Sequence, residues 1–300
     1  MIKIEKTSVV GWEDAIRGLR NPKDSWDKSD SHYALSGSKY QPETGFVIGP
    51  NDHKLMMALA KGGPVHAKYR RYIDVYVDIT APLYFLKELD TYRTVISPNP
   101  YDIEMNSCST MHRITAKEFT IDDFSHEHLI VPEPGKVTDT ELTAIDVDGN
   151  TCYYSPIGIL EMVIKTLNHY RELYLATDDP ELKKLYWWQL IQLLPSSYNQ
   201  KRTLKLNYET LAAMYEWRYN HKQDEWRDLC KWIEDLPYSE IITVKRDLTC
   251  DDLMTLANKL KEHCASVKVG ERCIFSLTGT CERLTSNCKI ANDAAEYWMV

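Results

Sequence analysis

An α/β (α+β) fold, with a small mixed sheet flanked by helices and a C-terminal appendage, is the architecture this sequence predicts. Three observations point there. Ile73, Val75, Val77 and Ile79 alternate with Asp74, Tyr76, Asp78 and Thr80, the period-two pattern of a half-buried strand. Arg202, Leu204 and Leu206 alternate with Thr203, Lys205 and Asn207 in a second such run. Helical patterns surround both, in the order helix, strand, helix, insert, two helices, strand, helix.

Residues 11–20 predict a short helix, because Trp12, Ile16 and Leu19 share a face. Arg20-Asn21-Pro22-Lys23-Asp24-Ser25 reads as turns. Residues 51–61 predict a second helix carrying Leu55, Met56, Met57, Leu59 and Ala60, and Gly62-Gly63-Pro64 stops it. The strand at 73–80 runs straight into a helix. Thr80 or Ala81 caps it, Pro82 suits its first turn, and Leu83, Leu86 and Leu89 carry it to about Tyr92. Ser97-Pro98-Asn99-Pro100 then breaks the chain. Residues 114–157 read as a long polar insert with a hairpin at Asp146-Val147-Asp148-Gly149-Asn150. Helices follow at 156–175 and 180–193, and Pro195 ends the second. Asn207 is a plausible cap for a helix running to about Glu234. One domain is expected over 1–245 and an extension over 246–300. In the extension, Thr249 and Asp252 make a capping-box pattern before Leu253, Leu256, Ala257 and Leu260, and short strands are expected at 271–277.

The 300 residues are 43% hydrophobic and 27% charged, enough for a real core and unlike a disordered chain. Lys plus Arg is 36 against 44 Asp plus Glu, a net charge of −8. That argues against a nucleic-acid binder, yet it allows a local basic pocket for a phosphate. No apolar run reaches the roughly 18 residues of a membrane span. The N-terminus, Met1-Ile2-Lys3-Ile4-Glu5-Lys6, lacks the apolar core of an export signal, so a cytoplasmic protein without membrane contact is expected. The eight cysteines are read as reduced thiols, and with no C-x-x-C pair no metal site is indicated. The 19 Tyr and 8 Trp against 5 Phe suit polar pockets and interfaces. Gly-rich dinucleotide fingerprints, a P-loop, H-E-x-x-H and G-x-S-x-G are all absent. Any nucleotide would therefore rest on Arg, Ser, Asn and His side chains.

Two polar constellations remain. The first holds Glu88, Thr91, Tyr92 and Arg93, then Asn106-Ser107-Cys108-Ser109-Thr110-Met111-His112-Arg113. Glu88 and Tyr92 share a helical face. The hydroxyl-rich run either surrounds a phosphate or simply caps a loop. Cys108 is a weak candidate nucleophile, with only His112 nearby to activate it. The second is Leu193-Leu194-Pro195, Asn207, Arg218, His221 and Glu225. The last three are spaced three and four apart, which on one helix makes a stripe. Leu211, Met214 and Arg218 share a face, placing a guanidinium at the edge of an apolar surface. Its anion is either Glu225 or a ligand's phosphate or enolate oxygen. The Trp187-Trp188 pair reads as core or interface.

Together these spacings resemble flavin-dependent thymidylate synthases. That family has Leu-Pro, an Asn twelve residues after the Pro, an Arg twenty-three after it, and His-x-Gln-x-Glu. Here Leu194-Pro195 is followed by Asn207, Arg218 and His221-Lys222-Gln223-Asp224-Glu225, with one residue fewer before the His. Gly62-Gly63-Pro64-Val65-His66 resembles the family's Gly-rich turn and flavin-side His. The likeness covers roughly 51–113 and 187–235, with an echo at 12–26. The departures are specific: Thr91-Tyr92-Arg93 stands for Arg-His-Arg, and Glu88 for a Gln. Ile191 and Glu209 replace arginines, and Arg71 replaces a Glu.

The resemblance implies C5 methylation of dUMP to dTMP, with methylenetetrahydrofolate and NADPH as cosubstrates and FAD as cofactor. It implies a homotetramer with sites between subunits. Ser107, Ser109 and Arg113 would hold the phosphate, Glu88 and Arg218 the pyrimidine, with Arg218 stabilising charge on the ring oxygens. His66, Tyr92, Arg93, Asn207 and His221 would line the flavin. His66 also reads as a turn residue, and Asn207 as a helix cap. Tyr92 cannot supply the missing positive charge, so FAD binding weaker than usual in the family is expected. The changed Glu88 and Thr91-Tyr92 leave two alternatives: hydroxymethylation of dUMP or dCMP, and a non-catalytic nucleotide-binding or assembly protein.

Overall fold

The computed structural model describes residues 2–33, 45–95, 103–133, 142–145 and 149–245. The breaker at 97–100, the hairpin residues Asp146, Val147 and Asp148, and every expectation for 246–300 lie outside the described residues. The chain begins with β1 (Lys3–Val10), α1 (Trp12–Arg20) and two short strands, β2 (His32–Tyr33) and β3 (Phe46–Val47). There follow α2 (Pro50–Lys61), β4 (Asp74–Pro82), α3 (Leu83–Val95) and β5 (Glu104–Ser107). The β6 (Leu142–Ile145) and β7 (Thr151–Tyr154) hairpin leads into α4 (Pro156–Ala176) and α5 (Pro180–Leu193). Then come β8 (Asn199–Asn207), α6 (Tyr208–Arg218), α7 (Asp224–Glu234) and the short α8 (Glu240–Thr243).

Among the described residues the main sheet has the order β1-β4-β8-β5. Every pair in it is antiparallel, which corrects the expected mixed sheet. Its two faces differ as the alternation demands. Ile73, Val75, Val77, Ile79, Leu204 and Leu206 are buried in the main core with Phe85, Leu86, Leu89, Met214 and Trp226. The other face carries ion pairs between strands, Lys201–Asp78 at 3.0 Å and Lys205–Asp74 at 3.1 Å. One packed face and one charged face is the usual division of an antiparallel sheet.

β1 escaped the sequence reading for a local reason. Lys6 has φ 55, and the register with β4 shifts between Glu5 and Ser8. The extra residue moves the core-facing side from Ile4 to Val9, so period two is lost. Pro82 ends β4 instead of starting α3. The free N–H groups of Leu83 and Tyr84 donate to the carbonyls of Tyr198 and Ser196, each at 3.0 Å. The Leu194-Pro195 turn thus delivers the acceptors that seat the start of α3.

The helix expected from Asn207 to Glu234 is two helices. α6 ends at Arg218, and α7 starts afresh after Gln223. Asp224 and Glu225 fall in the first turn of α7, where the helix dipole favours carboxylates. The insert is also less polar than its composition suggests. Ile114, Phe119 and Phe124 build a second core with Leu160, Ile164, Leu167 and Leu190 of the α4–α5 pair. Asn168 clamps it by exchanging two 2.8 Å hydrogen bonds with the Phe119 backbone. Among the described residues no helix is long and apolar enough to cross a membrane.

Candidate functional site

The site is built on one face of α3. Tyr84, Glu88 and Tyr92 are successive i, i+4 positions, so they stack along a single stripe. That stripe meets the end of α6 and the start of α7. Tyr84 donates its hydroxyl to Glu225, Glu88 accepts the Trp226 indole N–H at 2.9 Å, and the Tyr92 hydroxyl accepts Arg218 Nε at 2.6 Å. Helix packing, not the α6 stripe itself, therefore gathers these groups.

Arg218 is the centre of the cluster. Its guanidinium lies 4.6 Å from the Trp226 ring centre and 5.4 Å from that of Tyr92. Cation–π contact on two rings holds it flat without consuming its terminal donors. Its anion is Glu88, with Arg218 Nη1 and Glu88 Oε2 3.7 Å apart. This corrects the expected stripe with Glu225, which the chain break removes. Glu225 is buried on Tyr84 instead. Burial first, and the adjoining Glu225 carboxylate second, push the Tyr84 phenol up to about 12.

His221 lies in the α6–α7 connection. Its Nδ1 accepts from the Gln223 backbone N–H at 3.2 Å, which leaves the proton on Nε2 as a donor. Gln223 Oε1 is buried without a hydrogen-bond partner among the described residues. A donor and an unsatisfied acceptor in one connection suit a polar heterocycle. His66 is exposed beside the Gly62-Gly63 turn, and its ring packs so close that a Cβ on Gly62 would meet it at 3.0 Å. Among the described residues no hydrogen bond or ring contact joins His66 to His221 or Gln223. Donors and acceptors of this chemistry are what the flavin implied by the sequence resemblance would need. Tyr92 and Asn207 fit it less well, since both are committed within the chain. Asn207 is buried and caps α6, its Oδ1 accepting from Thr210 N at 2.9 Å and Thr210 Oγ1 at 3.0 Å. Arg93 belongs to the last turn of α3, and its side chain lies outside the described residues.

The hydroxyl-rich run does not join this cluster within one chain. Ser107, Ser109 and Arg113 are exposed in and after β5. Ser109 Oγ caps its own turn, accepting from the backbone N–H of His112 at 2.9 Å. Trp187 Nε1 donates to the Met111 carbonyl at 3.0 Å and ties the loop to α5. β5 and β8 reach α3 through Arg202, whose Nη1 lies 2.5 Å from Asp90 Oδ1. Asp90 is about 200° round the helix from Glu88. The hydroxyl-rich run, carried on β5 beside Arg202, thus lies toward the side of α3 opposite Glu88. Among the described residues no hydrogen bond or ion pair links that run to Glu88, Tyr92 or Arg218, although those three residues join the two constellations to each other.

One charge swap explains itself. Glu209, where the family pattern has an arginine, is paired with Arg70, with Arg70 Nη1 and Glu209 Oε2 3.5 Å apart. Burial raises the Glu209 carboxyl, and Arg70 and Arg71 oppose that. The sequence singled out Arg71, but the ion contact is made by its neighbour. Among the described residues no group of three His, Cys, Asp or Glu could hold a metal ion. A cavity of about 250 Å³ lined by Ile16, Arg20, Trp26, Tyr33 and Phe46 shares no residue with the Arg218 cluster.

No family model matches the chain, and no curated protein is similar to it in sequence. Solved structures to which it is similar include the flavin-dependent thymidylate synthase ThyX from Helicobacter pylori complexed with FAD and dUMP. That likeness has 15% identity and a TM-score of 0.48, over 80% of this chain and 97% of the other. Another is the UMP/dUMP methylase PolB from Streptomyces cacaoi bound with 5-Br dUMP, at 13% identity and a TM-score of 0.47, over 82% and 96%.

Proposed function

We propose that this chain is a flavin-dependent enzyme that alkylates C5 of a pyrimidine deoxynucleotide, with methylenetetrahydrofolate as carbon donor and NADPH as reductant. The observation that carries the reading is the setting of Arg218. Two aromatic rings and the Tyr92 hydroxyl fix its plane, while among the described residues neither terminal nitrogen donates a hydrogen bond. Arg218 is also the residue that the resemblance to flavin-dependent thymidylate synthases, carried by Leu194-Pro195, Asn207 and His-x-Gln-x-Glu, would give the pyrimidine-reading role.

In this reading Arg218 stabilises the negative charge that gathers on the ring oxygens as C5 becomes nucleophilic. Trp226 and Tyr92 keep the guanidinium from turning to solvent. His221, Gln223 and His66 hold the flavin, which supplies the hydride when bound. Ser107, Ser109 and Arg113 hold the phosphate. Their place on the far side of α3 from Arg218 supports sites between subunits of a homotetramer.

The test is the visible spectrum of the purified chain with added FAD, followed by titration with dUMP or dCMP. A flavin band that shifts on FAD binding and responds to nucleotide is expected. Arg218→Ala keeps the flavin shift and loses the nucleotide response. Absence of any flavin signal at saturating FAD sinks the enzymatic reading. A non-catalytic nucleotide-binding protein is the second reading. It is favoured by the commitment of Tyr92 and Asn207 inside the chain, and turnover of any pyrimidine nucleotide eliminates it.

A further inference from the structure

We infer that Glu88 makes this site select cytosine over uracil, so that its preferred ligand is a cytidine deoxynucleotide. The inference rests on the pyrimidine-binding reading above and specifies its base. Glu88 Oε2 is occupied by the Trp226 indole at 2.9 Å, and its Oε1 accepts no hydrogen bond. Arg218 Nε is occupied by Tyr92 at 2.6 Å, and its Nη1 and Nη2 donate none. Nη1 stands 3.7 Å from the carboxylate. Glu88 is 40% exposed and Arg218 22%, so both reach solvent. Among the described residues the pair therefore presents one acceptor and two donors that make no hydrogen bond, Nη1 being engaged only in the longer ion contact with Glu88.

Cytosine matches that order. Its N4 amino group donates to Glu88, while N3 and O2 accept from the guanidinium fork. Uracil in the same pose sets its O4 against the carboxylate and its N3–H against an arginine N–H. Both contacts are repulsive, and rejection comes from these as much as from the lost hydrogen bonds. A neutral amide at position 88 removes the O4 conflict, because its NH2 donates to O4, and opposes cytosine's N4 amino group instead, while the contact of uracil N3–H with the arginine remains. Glu88→Gln also keeps an oxygen for the Trp226 indole, so the packing is retained.

The experiment is calorimetric titration of the full chain with dCMP and with dUMP, for the wild type and Glu88→Gln. The wild type is expected to bind dCMP about ten- to a hundredfold more tightly. Glu88→Gln brings that ratio to about one, with its far-UV circular dichroism that of the wild type. If the wild type binds dUMP equally or better, or if the ratio is the same in the variant, the role of Glu88 is overturned and the nucleotide reading survives. If neither nucleotide binds, the nucleotide reading itself fails.

Discussion

Replacing Arg70 by Met and Glu209 by Leu, singly and together, measures what the Glu209 substitution does for this fold. The two side chains are 6% and 15% exposed, so each charge is buried against the other. Their 3.5 Å approach is an ion contact without a hydrogen bond, since Arg70 Nε and Glu209 Oε2 lack partners. Arg70 Nη2 also donates to the Ile241 carbonyl. Either single change strands a buried charge and costs about 3 kcal/mol. The double change strands none, and leaves only the Ile241 carbonyl without its guanidinium donor, about 1–3 kcal/mol. The coupling between the positions is therefore about 3–5 kcal/mol, at or above the top of the range for a contacting pair. Urea unfolding followed by circular dichroism reads all four proteins, with one shared m-value as the check on two-state behaviour. A coupling below about 0.5 kcal/mol would refute the compensation. The pH dependence adds a second readout. Because burial raises the native Glu209 carboxyl above its ordinary 4.5, the folded state holds that proton more tightly than the unfolded chain. Its contribution is complete below 4.5 and is lost as the pH rises through the raised native value. Glu209→Gln flattens that limb.

Further expectations are simpler. Asn207→Ala removes the acceptor for Thr210 and costs about 1 kcal/mol in urea unfolding; no loss would mean the cap is idle. Tyr84→Phe leaves Glu225 without its phenol donor and lowers stability by about 1–3 kcal/mol, and a variant as stable as wild type contradicts the Tyr84–Glu225 bond. Cys108 is exposed, while burial pushes the Cys230 thiol up to about 12. In peptide mapping after brief alkylation at neutral pH, Cys108 is modified and Cys230 is not; equal labelling overturns the assigned burial.

The sequence by itself determined the elements whose period is uninterrupted. β4 and β8 were legible because apolar residues alternating with polar ones admit one arrangement, and α4, α5 and the Asn207 cap because Pro, Ser, Asp and Asn mark their starts. Through the family resemblance it also singled out Arg218 as a candidate for the role proposed for it. What it could not supply were relations between residues far apart in the chain. Glu88 lies 138 positions from Trp226, and Tyr92 lies 126 from Arg218, and only the docking of α3 against α6 and α7 makes them neighbours. The fresh start of α7 after the break at Arg218 belongs to that same docking, with Glu225 on the Tyr84 hydroxyl and the Trp226 indole on Glu88. The bulge at Lys6 hid β1 because one left-handed residue reverses which side chains face inward. Local periodicity reports which face of an element is buried. Which partner that face meets, and therefore which charge answers Arg218, is decided by packing alone.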